Sequence, residues 1–146
     1  MTESDLLVCA KWYTDHRLLN FVKVEKPDPT LPIILYAAKI NNVLVGVLDL
    51  FNIDIENHKA EFGLCFPVKK GLALIAARKF LRMAFNAGFN RIYARVLEDN
   101  EQVIRMALRA GFKRDGIERQ AIYRDGKYLD IVHLSILKKE FIERWG

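Results

Sequence analysis

The chain has 146 residues, 51% of them hydrophobic, enough for one domain with a core of its own and too many for a disordered, solvating chain. Lys and Arg number 23 against 18 Asp and Glu, a net charge of +5, which admits a polyanionic ligand; yet there is no dense basic run, no aromatic-interleaved RNA motif and no Cys/His zinc spacing. No apolar run reaches the roughly 18 residues of a membrane span, and Cys9 and Cys65 do not make a disulfide framework, so the expectation is a reduced, cytoplasmic setting away from membranes.

The first segment, Met1–Trp12, is acidic and lacks the basic-then-apolar order of a signal peptide. An apolar stripe through Leu6, Leu7, Ala10, Trp12, Tyr13, Leu18, Leu19 and Phe21, broken near Thr14-Asp15, predicts a helix over residues 4–21, with Ser4 able to cap it. Pro27, Pro29 and Pro32 forbid helix and mark a linker. Strands are expected over Ile33–Ile40, Val43–Asn52 and Lys59–Phe66, turning at Asn41-Asn42 and at Asp54–Asn57: an antiparallel meander. Gly71–Ala87 reads as a helix whose apolar face is Leu72, Ile75, Ala76, Phe80, Met83 and Ala84, ended by Gly88. Arg91–Leu97 alternates as a strand, and the short loop before it predicts a parallel pairing with the strand preceding the helix. Asp99 and Gln102 form an expected capping box for a helix over Glu101–Ala110, closed by Gly111. Two last strands, Gly116–Tyr123 and Tyr128–Leu137, flank a type I′ signal at Asp125-Gly126, and the second runs out into Lys138-Lys139-Glu140-Phe141.

Several of these segments carry more than periodicity. They are Val45-Gly46-Val47-Leu48-Asp49-Leu50, Ala60-Glu61-Phe62-Gly63, Asn90-Arg91-Ile92-Tyr93, Asp99-Asn100, Gly111-Phe112 and Gly126-Lys127-Tyr128-Leu129-Asp130. In this order, over Leu44 to Phe141, the chain resembles the GNAT-type N-acetyltransferases. Within them it looks most like the RimJ/RimL-type ribosomal-protein acetyltransferases and spermidine acetyltransferase. The N-terminal part is similar only in Trp12-Tyr13 and Phe21, and the family's usual first strand would precede Thr2. The resemblance implies an α/β fold in a single domain over residues 1–146. Its mixed, twisted sheet would have about six strands with helices on both faces. It also implies transfer of an acetyl group from acetyl-coenzyme A to a primary amine, in a small molecule or a peptide, with no metal; a homodimer is compatible with this.

The resemblance also suggests residues. Gly71-Leu72-Ala73 matches the end of the family's pyrophosphate loop, where backbone N–H groups at a helix start meet phosphate; Lys69 and Lys70 add charge, and Val68 stands at the position usually Arg or Gln. A plain strand-to-helix turn explains the glycine equally. Backbone of Leu64, Cys65 and Phe66 would hold the pantetheine arm, and Asn100 would lie beside it, unless Asn100 is only a cap. Glu61 is the candidate general base, against a plain salt-bridged glutamate. Asp49 and Asp54 are alternatives, or binders of a cationic acceptor. Ala107 and Val103 stand where the family often has tyrosine and serine, so the usual acid for the leaving thiolate is absent; Tyr123 is a substitute or simply the cross-strand partner of Tyr128. The alternative reading is a non-enzymatic member of the fold that binds nucleic acid or a protein partner.

Overall fold

Asn41 and Asn42 hold φ angles of 50° and 63°, the left-handed pair that a tight hairpin turn requires, and β1 (Ile34–Ile40) and β2 (Val43–Asp54) close around them. The structure is a computed structural model and describes residues 34–65 and 70–146. The expected helix over residues 4–21 and the proline linker lie outside the described residues. β2 turns through residues 55–58 into β3 (Lys59–Cys65), and β3 leads to α1 (Lys70–Asn86). Then follow β4 (Arg91–Leu97), α2 (Glu101–Ala110), β5 (Lys113–Arg124), β6 (Lys127–Leu137) and α3 (Lys138–Trp145). Asp125 and Gly126, with φ of 51° and 75°, make the β5–β6 turn as their sequence predicts.

The six strands form one mixed sheet in the order β1-β2-β3-β4-β6-β5. All neighbours are antiparallel except β3 and β4, which are parallel and joined by α1. This is the expected α/β architecture. Alternation decides the faces. Leu48 and Leu50, Ala60 and Phe62, Ile92 and Ala94, and Leu134 and Ile136 pack into one core with the three described helices. Those helices therefore share one face of the sheet; the sequence predicts helices on both faces, and no helix packs on the other face among the described residues.

Four local expectations need correction. The buried face of α1 is Ala73, Ala77, Phe80, Leu81, Ala84 and Phe85, while Ile75 and Met83 are exposed. Small alanines let the helix approach the sheet, and that row displaces the bulkier one. The cap of α2 is Asn100, whose side chain accepts from the backbone N–H of Val103, so the box built on Asp99 does not form. β5 starts at Lys113, three residues before the expected Gly116. The chain also does not run out as a strand after Leu137. α3 starts there, its first turn held by Glu140 Oε2 accepting from Leu137 N at 3.0 Å. Trp145 then anchors it: Nε1 donates to Ala110 O at 2.8 Å, and the Arg78 guanidinium lies 3.8 Å from the ring.

Candidate active site

Strands β3 and β4 share a ladder only over Lys59–Glu61 and Arg91–Tyr93. β3 continues to Cys65 against β2, and β4 continues to Leu97 against β6. The sheet therefore forks beyond Glu61 and Tyr93, and the fork opens toward the carboxyl ends of both strands. There α1 and α2 begin, so two helix N-termini with partial positive charge stand at the open end. A Cβ added at Gly71 would meet none of the described residues within 4 Å, so nothing described closes off the start of α1. A slot between parallel strands, with helix starts at its mouth, suits an extended ligand that ends in phosphate.

Glu61 sits where the fork closes, opposite Phe51 of β2 and Tyr93 of β4. Its neighbours Ala60 and Phe62 face the helices, so Glu61 faces the other way, and it is 6% exposed. Asn52 Nδ2 donates to Glu61 Oε2 at 2.9 Å. Asp49, 2% exposed, lies on the same face of β2 opposite Gly63. A side chain at Gly63 would collide with the Asp49 carboxylate and press on the Phe51 ring, which is why this strand position is a glycine. Burial pushes the Tyr93 phenol up, and the charge of Glu61 adds to the push. Further across the same face, Arg95 Nη2 donates to Glu118 Oε2 at 2.8 Å, with His133 Nε2 at 3.5 Å from that oxygen. The Arg95 hydrogen bond holds the Glu118 carboxyl below its usual range. Burial works to raise Asp115, but hydrogen bonds with Ser135 and Arg91 prevail and hold it low. These pairs stiffen β4, β6 and β5 beside the fork.

The other candidate residues divide between the fork and elsewhere. Leu64 packs partly buried against the core, and Cys65 pairs its backbone with Val47. Phe66, Val68 and Lys69 lie outside the described residues. Lys70 and Gly71 open α1, and Ala73 is buried one turn in. Asn100 follows β4 at the mouth of the fork, 3% exposed, and its Oδ1 accepts from Val103 N at 3.4 Å. Asp54 stands at the closed end, in register with Lys59. Its carboxylate accepts from the Asn57 side chain at 2.8 Å and the Asn57 backbone at 2.9 Å, and those bonds lower its pKa. Tyr123 is 67% exposed at the tip of the β5–β6 hairpin, its ring 5.0 Å from that of Tyr128, and β5 lies two strands from β4. Ala107 is 4% exposed within the core. The fork thus has Glu61 at its closed end, with Asp49 on the same sheet face and Asp54 near enough to act on Tyr93 together with Glu61, and the starts of α1 and α2 at its open end; Tyr123 lies apart. Sequence reading missed Asn52 and Tyr93. Tyr93 alternates correctly for the Glu61 face, but only the register places it opposite that residue.

Among the described residues, no group of three or more His, Cys, Asp or Glu is placed to hold a metal, and no helix is long and apolar enough to cross a membrane. A family model described as "Acetyltransferase (GNAT) domain" matches residues 2–113. YdaF of Bacillus subtilis, to which a ribosomal N-acetyltransferase activity is ascribed, is 33% identical over 102 residues, 67% of this chain and 56% of that protein. Spermidine N(1)-acetyltransferase of Vibrio cholerae is 24% identical over 105 residues, 69% of this chain and 61% of that protein. The chain thus spans little more than half the length of these curated relatives. The crystal structure of spermidine N-acetyltransferase from Vibrio cholerae in complex with CoA and spermine matches with a TM-score of 0.84 at 17% identity, covering 97% of this chain and 95% of that one. At this identity the likeness shows the fold alone.

Proposed function

The chain belongs to the GNAT acetyltransferase family, and on that premise we propose that it transfers an acetyl group from acetyl-coenzyme A to a primary amine by direct attack. The observation that carries this is the fork: parallel strands that part beyond a buried glutamate, with two helix starts at the open end. Backbone groups of Leu64, Cys65 and Phe66 hold the pantetheine arm, beside Asn100. The segment Val68, Lys69, Lys70, Gly71, Leu72 and Ala73 takes the phosphates, by helix-start N–H groups and lysine charge. Glu61 accepts a proton from the ammonium form of the acceptor, directly or through water. The neutral amine then attacks the thioester carbonyl, the carbon–sulfur bond breaks, and the thiolate leaves to be protonated by solvent. Two buried carboxylates on one sheet face, Glu61 and Asp49, favour a cationic acceptor. The relatives that act on spermidine fit that class, and spermidine is the first acceptor to try.

The buried Ala107 leaves no donor at its position, so the leaving thiolate depends on solvent. This loses assistance usually worth ~10²–10⁴-fold and leaves the direct attack itself intact. The test is a melting curve with and without acetyl-coenzyme A. Ligand at about 100 times its dissociation constant adds about 2.7 kcal/mol of stability, and the melting temperature rises. An unchanged curve at millimolar coenzyme refutes the reading and leaves a binding protein built on the same fold.

A further inference from the structure

Asn52 is the first residue of β2 to leave the regular ladder. The pairing of β2 with β3 breaks between Phe51 and Asp54, and Asn52 there holds a φ of 48°. Asparagine tolerates this left-handed backbone better than other side-chain-bearing residues. The bulge has a consequence for the side chain: it brings the Asn52 amide onto the Glu61 carboxylate, Nδ2 donating to Oε2 at 2.9 Å across the strand pair. Bulges re-aim side chains in this way. Among the described residues, the charged or titratable groups on the strands beside Glu61 include Lys59 on β3, Asp49 and Asp54 on β2, and Arg91, Tyr93 and Arg95 on β4. Two of them are carboxylates, which oppose ionisation of Glu61. Two guanidinium groups and the Lys59 ammonium favour it. A neutral donor fixed on Oε2 favours the charged form without competing for the acceptor's positive charge.

We propose that Asn52 is a positioning residue for the reaction: its amide holds the Glu61 carboxylate by Oε2, keeps it ionised and orients it toward the fork. This rests on the reading of Glu61 as the base. The bland alternative is that Asn52 serves only the bulge, through its backbone preference. Asn52→Gly separates the two, because glycine keeps the left-handed backbone and removes only the amide. Asn52→Asp is the companion variant; it also accepts this backbone, and it replaces the donor by a second carboxylate.

The measurement is an NMR titration of isotope-labelled glutamate carboxyls, with the Glu61 signal assigned by its loss in Glu61→Gln. It needs no acceptor. The midpoint of Glu61 is expected to rise in Asn52→Gly by about one pH unit, a tenfold tighter proton, and further in Asn52→Asp. Equal midpoints in wild type and Asn52→Gly overturn the proposal and leave Asn52 a bulge residue. Turnover with acetyl-coenzyme A and spermidine separates its failure from that of the underlying reading. Full turnover in Glu61→Gln, whatever the midpoints, removes the base and with it any part for Asn52. Lost turnover in Glu61→Gln with unmoved midpoints removes Asn52 alone.

Discussion

Ala60 and Phe62 of β3 point into the helices; Glu61, between them, points the other way and is buried too. The contrast repeats on β2, where Leu48 and Leu50 enter the core and Asp49 does not, and on β4, where Ile92 and Ala94 alternate with Tyr93 and Arg95. One face is apolar and closed by α1, α2 and α3. The other carries carboxylates, a phenol and a guanidinium, several tied to hydrogen-bonding partners. Burial means opposite things on the two faces. Apolar burial stabilises the fold at roughly 25 cal/mol per Å². A buried carboxylate is costly unless polar neighbours offset it, and it is retained where chemistry needs it. A strand's two-residue period lets one short segment serve both ends, with the core and the site one residue apart.

Substitutions on the two faces should therefore separate stability from turnover. The largest stability loss belongs to the helix side. Phe85, 2% exposed and 5.3 Å from the Phe141 ring, should cost about 3–5 kcal/mol on truncation to alanine. Denaturant unfolding measures it, and the variant's folded fraction should still turn over. Next is Ala107→Tyr, which adds a ring to a filled position and should cost about 1–3 kcal/mol without raising the rate. A stable variant running tenfold faster would show an open pocket at that point of α2. Gly63→Ala acts on the other face. Its methyl would displace the Asp49 carboxylate, so the cost should sit near ~1 kcal/mol while the Michaelis constant for a cationic acceptor rises and coenzyme binding stays. Equal acceptor constants would detach Asp49 from the acceptor.

The smallest effect belongs to the edge of the helix layer. Lys113 Nζ lies 2.7 Å from Glu140, and this hydrogen bond, with that from Leu137 N, holds the Glu140 carboxyl below its usual range. A lowered pKa gives stability that is present above the unfolded value and is lost as pH falls through the folded one. The protection of α3 amides against hydrogen exchange, corrected for the intrinsic exchange rate at each pH, should fall slightly on acidification through and below the ordinary glutamate range. Glu140→Gln should abolish that dependence; an unaltered pH profile would show that the Lys113–Glu140 pair adds nothing to the hold on α3.

The strands and both the Asn41-Asn42 and Asp125-Gly126 turns were legible in the sequence, because period two and left-handed residues are local signals. The parallel β3–β4 pairing was legible from one short loop. The α1 face was not, since large Leu72, Ile75 and Met83 outweigh Ala73 and Ala77 on any hydrophobic count, while close packing on a sheet selects the small residues. α3 was hidden because Lys138-Lys139-Glu140 reads as a polar tail. Its anchor, Trp145, finds its partners 35 residues away at Ala110 and on α1. Glu61, Asp49 and Asn100 were legible as candidates by family pattern. The fork was not, since divergence is a property of two strands together, and neither was Asn52, whose reach depends on a bulge.

The most direct measurement compares wild type with Glu61→Gln, following release of coenzyme A from acetyl-coenzyme A with spermidine and with a peptide bearing a free amino terminus. A base in the transition state affects turnover more than binding. Turnover of Glu61→Gln at neutral pH should fall by ~10²–10⁴-fold while acetyl-coenzyme A binds as before. A wild type that releases coenzyme A with either amine and a Glu61→Gln variant that matches it would contradict the assignment of the base at the fork.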